Sequence, residues 1–305
     1  MQLLVVPGAG AREVEGSAPP PDGAVTWWDL APGDPRPVFV DPEVFDSLSE
    51  PTLVPRCTAT TSGLSLIVHS LDAQGHLLQL GVLAGERMVT TVHSAFNDAV
   101  TTESLTRETS AVARRLVDQG AGIATANQLA ASILLELAAT LRGLLSDAAQ
   151  RSGTLDRRIR DEHIRDQEAV LDELFEVRRD LFTIRNRLAQ TSEIVQAADR
   201  YDKSSFGEVV GEFERLLRMC DGERDFFQGV LDYYEQRINV KINFATERLA
   251  LIAALVLPLS AVSGILGMNT IVQDRTNVPL TIVLVSLMVV MMTTLLVWSK
   301  RKGWW

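Results

Sequence analysis

Two stretches near the C-terminus constrain this chain more than anything else in it. From Leu249 to Gly267 there is no ionisable side chain, and from Val278 to Ser299 there is none either. As helices these runs would be about 28 and 33 Å long, against a hydrocarbon layer of about 30 Å. Two uncharged runs of this length rarely sit side by side in the core of a soluble protein, so they read as two transmembrane helices, 249–268 and 279–299, around a loop at 269–278. The preceding 248 residues hold nearly all the charge and read as water-soluble.

Basic residues set the direction of the spans. Arg237, Lys241 and Arg248 precede the first, and Lys300, Arg301 and Lys302 follow the second, in a basic tail at 300–305. The loop between them holds one Arg275 beside Asp274. Both termini are therefore expected in the cytoplasm of a cell-membrane protein, with the short loop outside. Trp298, Trp304 and Trp305 suit an aromatic belt at the inner interface. The opening residues Met1–Val6 lack a basic n-region and are soon broken by Pro7 and Gly8, so they read as a first strand and not as a signal peptide.

The soluble part divides by period. Residues 1–150 are expected to form an α+β domain, a mixed sheet with helices. Strand-like runs at 24–28, 64–69, 76–83 and 87–93 are rich in β-branched residues, loops fall at 7–23 and 31–37, and amphipathic helices at 104–119 and 124–149. Residues 151–205 carry apolar positions at helical spacing and form a helical hairpin region. A polar break at 199–205 offers Ser204 or Ser205 as an N-cap, with Glu208 in the next turn. From 206 there is no proline until Pro258, so a stalk at 206–248 should run straight into the first span. Such a helix is about 90 Å long. It begins in water, ends in lipid, and needs parallel copies of itself to cover its apolar positions, which points to a homo-oligomer.

Several function classes are unsupported. A formal charge of −10 without a basic stripe argues against nucleic acid. There is no phosphate-binding loop, dinucleotide fingerprint or H-E-x-x-H, and no nucleophile–base pair that would suggest an enzyme. Cys57 and Cys220 are lone thiols, and His69, His76, His93 and His163 show no zinc-ligand spacing.

At the outer end of the first span stands Pro258-Leu-Ser-Ala-Val-Ser-Gly-Ile-Leu-Gly-Met-Asn269. With two terminal spans, a short loop, a basic tail and a long preceding helix, this segment resembles the CorA magnesium-channel family. That family carries Pro-Leu-Thr running into Tyr-Gly-Met-Asn at this place. The resemblance implies a funnel-shaped homopentamer that passes hydrated Mg²⁺, or Co²⁺ or Ni²⁺, into the cytoplasm, with Gly267, Met268 and Asn269 as selectivity filter. Physical chemistry agrees with that role. Mg²⁺ gives up water reluctantly, so a filter should offer uncharged acceptors to the hydrated ion, as a ring of Asn269 amides would.

Counting back from Gly267 by three or four residues gives one helix face: Gly264, Ser260, Leu257, Ala253, Leu249, Thr246 and Asn243. It is small or polar at most steps. The resemblance implies that Asn243 and Ser260 contact the hydrated ion and that Leu249 and Leu257 are apolar gates; ordinary helix packing is the other reading of the leucines. Glu247 and Arg248 would sit at the inner mouth. In the family, Mg²⁺ bound between cytoplasmic domains regulates the pore, and Glu208 and Glu212, with Glu214 beside them, are the residues here that could take it. Three departures bear on the ion. Leu266 and Thr270 replace the family's aromatic flanks, and the loop ends in Asn277-Val-Pro-Leu280 without the family's Glu. Asp274 is then the acid left to form an outer ring. The alternatives are a zinc transporter of the same superfamily, whose members carry Gly-Ile-Asn, and a non-conducting membrane sensor or scaffold.

Overall fold

A computed structural model of the chain describes residues 1–6, 10–13, 23–119, 122–161, 167–267 and 278–301. Two units are distinguished, Met1–Val230 and Leu231–Trp305.

The first unit is built on a seven-stranded mixed sheet. Its strands are β1 (Gln2–Val6), β2 (Gly10–Glu13), β3 (Val25–Leu30), β4 (Arg56–Thr60), β5 (Gly63–Leu71), β6 (Leu77–Ala84) and β7 (Met88–Ala95), in the order β2-β1-β3-β7-β6-β5-β4. β3 and β7 pair in parallel, Trp27 opposite Val89, and every other neighbouring pair is antiparallel. The opening run expected as a first strand is β1, and the four further runs expected as strands are β3, β5, β6 and β7. β2 lies inside the stretch expected to be a loop at 7–23, and β4 has no counterpart among the sequence expectations. Both are edge strands, held by ladder bonds to β1 and β5 and not by apolar alternation.

β5, β6 and β7 are buried at nearly every position, so both faces of the sheet centre are covered. One cover is α1 (Pro42–Ser49), capped by Asp41, whose carboxylate accepts from the Glu43 and Val44 amides. Leu48 of this helix enters a core of Leu30, Val40, Ile67, Leu83 and Val92. Gly81 is what lets it in, because a Cβ there would stand 3.0 Å from the Leu48 side chain. Gly63 is fixed by a second constraint: φ is +132° and a Cβ would meet the Ala84 carbonyl at 2.1 Å.

The remaining helices of this unit are α2 (Thr102–Leu105), α3 (Arg107–Gln119), α4 (Ala126–Arg160) and α5 (Gln167–Tyr201). α4 buries a stripe from Leu129, Ile133 and Leu137 through Leu141 and Leu145 to Leu155 and Ile159, at the helical period. The domain edge expected at residue 150 therefore falls inside a helix. Gly153 costs α4 about 1 kcal/mol relative to alanine, and burial of Leu155 and Ile159 beyond it outweighs that. By length and hydropathy alone a stretch of α4 would also suit a membrane crossing, but 50% of that stretch is buried in the protein. It is a core helix.

α6 (Lys203–Gly267) is a single helix of 65 residues, about 97 Å long, and passes through Pro258. Its cap is Asp202 and not Ser204 or Ser205, because both serines donate to Asp202 instead (2.6 and 2.7 Å), together with the Ser204 amide (3.1 Å). α7 (Val278–Arg301) is the last described element.

Candidate ion-conduction path

The site expected from the sequence lies along α6 in the second unit. At about 100° per residue, Asn243, Thr246, Leu249, Ala253, Leu257, Ser260 and Gly264 fall within an arc of about 120°. All seven are exposed, Leu249 at 67% and Leu257 at 66%. Among the described side chains between 243 and 264, Glu247, Leu251 and Pro258 are the ones partly covered. They cluster on a different side of the helix, about 120° away from the middle of the stripe. The stripe is thus a continuous uncovered face, apolar or small at its far end and amide-bearing at Asn243. Gly267 ends α6. Met268, Asn269 and Asp274 lie outside the described residues.

The helix α7 has no ionisable side chain before Lys300. Ile282, Val285, Val290 and Met291 are each 39–60% exposed, on different sides of the helix. Thr293 and Thr294 return their hydroxyls to the Val289 and Val290 carbonyls at 2.7–2.9 Å, which removes a polar demand from the surface.

In the first unit the two acids expected to hold a regulatory cation have different surroundings. Glu208 is exposed near the start of α6. Glu212, one turn on, is ion-paired to Arg142 of α4 and has Arg215 at 3.5 Å. A cation at Glu212 would have to displace two guanidinium groups. Among the described residues no group of three or more His, Cys, Asp or Glu side chains is placed to hold a metal ion.

Other polar groups are structural. Asp29 of β3 accepts from Thr91 (2.6 Å), His93 (2.7 Å) and Thr109 of α3 (3.1 Å), all buried, and so pins α3 to the sheet. Burial pushes the Asp29 carboxyl up, but the bonds from His93, Thr91 and Thr109 outweigh it and leave the group below the usual carboxylate range. His69 is held by the Thr52 carbonyl at 2.8 Å and His76 by Asp72 at 2.8 Å. Burial pushes the Cys220 thiol up to about 11, so it is an inert apolar contact. A cleft of about 730 Å³ opens between the β5–β6 turn, α4 and α5, and the central acid in it, Asp180, is paired with Arg151.

A charged, sheet-based front is followed by a very long helix that continues into an uncharged stretch. In fold the chain is similar to the full-length CmaX protein, with a TM-score of 0.75 and 18% identity over 100% of this chain and 97% of that one. It is similar also to the complete CorA magnesium transporter of Methanocaldococcus jannaschii (TM-score 0.74, 16% identity, 100% and 99% of the two chains). The cytoplasmic domain of ZntB from Vibrio parahaemolyticus matches 78% of this chain and 98% of its own at TM-score 0.61 and 10% identity. No curated protein matches the chain by sequence at a significant level. Residues 36–301 match the family described as CorA-like Mg²⁺ transporter protein, and the chain belongs to that family. Its members are transporters of divalent metal ions and not enzymes.

Proposed function

We propose that the chain forms a homo-oligomeric channel, a pentamer, that passes hydrated divalent cations into the cytoplasm, with Mg²⁺ as the main cargo. In this reading the α6 segment 249–268 lines the pore, α7 crosses the membrane outside it, and both termini are cytoplasmic. The observation that carries the reading is the uncovered stripe on α6. A chain on its own leaves Leu249, Leu257 and their neighbours without a partner, whereas copies arranged round an axis would bring the stripes face to face. Leu249 and Leu257 then narrow the path with apolar side chains and block it by dewetting, and Asn243 and Ser260 offer polar atoms to an ion that keeps its water. Asn269 closes the outer end as the filter, with Asp274 as an outer ring of negative charge. An interior-negative potential of 100 mV favours entry of a double charge by about 4.6 kcal/mol. Regulation by cytoplasmic Mg²⁺ at Glu208 and Glu212 would compete with Arg142 and Arg215 for the second carboxylate.

Flux of Mg²⁺, Co²⁺, Ni²⁺ and Zn²⁺ into proteoliposomes tests this. Mg²⁺ entry is expected in the wild type and at least a tenfold loss in Asn269→Ala. Asn243→Leu should also slow entry, and an unchanged rate would mean that the pore face is misassigned. Proton-coupled Zn²⁺ entry alone would place the protein in the zinc branch. Well-folded protein that passes no divalent ion would be a sensor or scaffold.

A further inference from the structure

The uncharged run of α7 ends in a feature that conduction does not use. Thr293, Thr294, Val297, Trp298 and Arg301 line a groove of about 370 Å³ on one side of the helix. Eight residues separate Thr293 from Arg301, about 12 Å along the axis. The chemistry changes in order along that distance. At the deep end the threonine hydroxyls are turned back onto the Val289 and Val290 carbonyls, so the wall there makes no polar demand. Val297 adds apolar surface. Trp298 supplies an amphipathic ring of the kind that settles at the lipid–water boundary. Arg301, exposed in the last turn beside Lys300, supplies a planar cation with several donors.

We propose that this groove binds an anionic phospholipid, with the phosphate on Arg301, the glycerol and ester region beside Trp298, and the upper acyl chain along Val297 and the two threonines. The inference rests on α7 crossing the membrane. Charge selects the occupant. A zwitterionic lipid presents its phosphate together with a choline cation that Lys300 and Arg301 repel, whereas phosphatidylglycerol carries a phosphate with a neutral glycerol and no cation. Length agrees, because a cation about 12 Å above an apolar wall matches the order of groups in one phospholipid and not in a soluble anion. Arg301 is also preferable to a point charge for phosphate, since its donors lie in one plane.

Native mass spectrometry of the full-length protein in detergent, with phosphatidylglycerol and phosphatidylcholine of equal acyl length, tests the proposal. The wild type should retain phosphatidylglycerol in preference. Arg301→Gln should retain about fivefold less, and neutralising Lys300 as well should cost about a further fivefold. Trp298→Leu should reduce both lipids while keeping the preference, and Arg301→Lys should restore part of the loss. Arg248→Gln, a basic residue outside the groove, is the control. Equal retention of phosphatidylglycerol by wild type and Arg301→Gln would overturn the proposal, as would an equal loss in the Arg248 control. Retention of neither lipid by the wild type would mean that a second copy covers the groove, and the proposal falls. Release of the protein from membranes by alkaline carbonate reads out separately: it would remove the membrane reading of α7 itself.

Discussion

α4 and α7 are both long apolar helices, yet they solve opposite problems. α4 gathers Leu129, Ile133, Leu134, Leu137 and Leu141 within one arc of about 140° and places Glu136 and Arg142 outside it. Its charges are then used, Arg142 on Glu212 and Arg151 on Asp180. α7 carries no charge until its last turn, and Ile282, Val285, Val290 and Met291, spread around its axis, leave no side that suits water. Length and apolar character alone do not separate these two cases, since an apolar stretch of α4 is also long enough to cross a membrane. What separates them is how the apolar residues are distributed around the axis and whether an ionisable residue interrupts the run.

The difference can be tested from its strong end to its weak end. Leu134 is fully buried, so Leu134→Ala should cost about 2–5 kcal/mol of stability in denaturant unfolding of the detergent-solubilised protein. Loss under 1 kcal/mol would show that α4 is not the centre of the core. Asp202 is next, because it joins the first turn of α4 to the start of α6, accepting from Asn127 at 2.9 Å as well as from Ser204 and Ser205. Asp202→Ala should cost about 1–2 kcal/mol. The bonds from Ser204, Ser205 and Asn127 hold the Asp202 carboxyl down to about 2, below its ordinary value of 3.8. A folded-state value below the unfolded one means that its contribution is present above about pH 4 and is lost as pH falls from there toward about 2. The pH dependence of unfolding in that window should flatten in the alanine variant; an identical slope would mean that Asp202 is not the titrating group. The smallest effect is expected at α7. Val289→Ala should change the unfolding of the soluble unit by less than about 0.5 kcal/mol. A cost equal to that at Leu134 would make α7 a core helix after all.

The same comparison explains what could be read in advance. β3, β5, β6 and β7 were legible because β-branched residues and alternation are local signals. β2 and β4 were not, because Gly10-Ala-Arg-Glu13 and Arg56-Cys-Thr-Ala-Thr60 become strands through their neighbours' ladders. α1 did leave a signal, Asp41 followed by Pro42, a cap with proline in the first turn. A glycine and polar residues at 150–154 look like a break in the sequence, yet α4 runs through them and buries Leu155 and Ile159. The helix that carries the α6 row was legible for the reason β3 was: its period is written in adjacent residues. The engagement of Glu212 was not, since its partner Arg142 stands far earlier in the chain and only the fold brings them together.

The unbroken course of α6 makes helical phase a quantity that the protein has to keep. Each residue added between the soluble unit and Asn243 advances everything beyond it by about 100°. One inserted residue would therefore turn Leu249, Leu257 and Ser260 away from wherever they now point and bring a different row of side chains into their place. Seven inserted residues would lengthen the helix by about 10 Å but return the row to within about 20° of its original bearing. The tolerated lengths of this helix should accordingly come in steps such as about 7, 11 or 18 residues, as with teeth on a gear, and not as a continuous range.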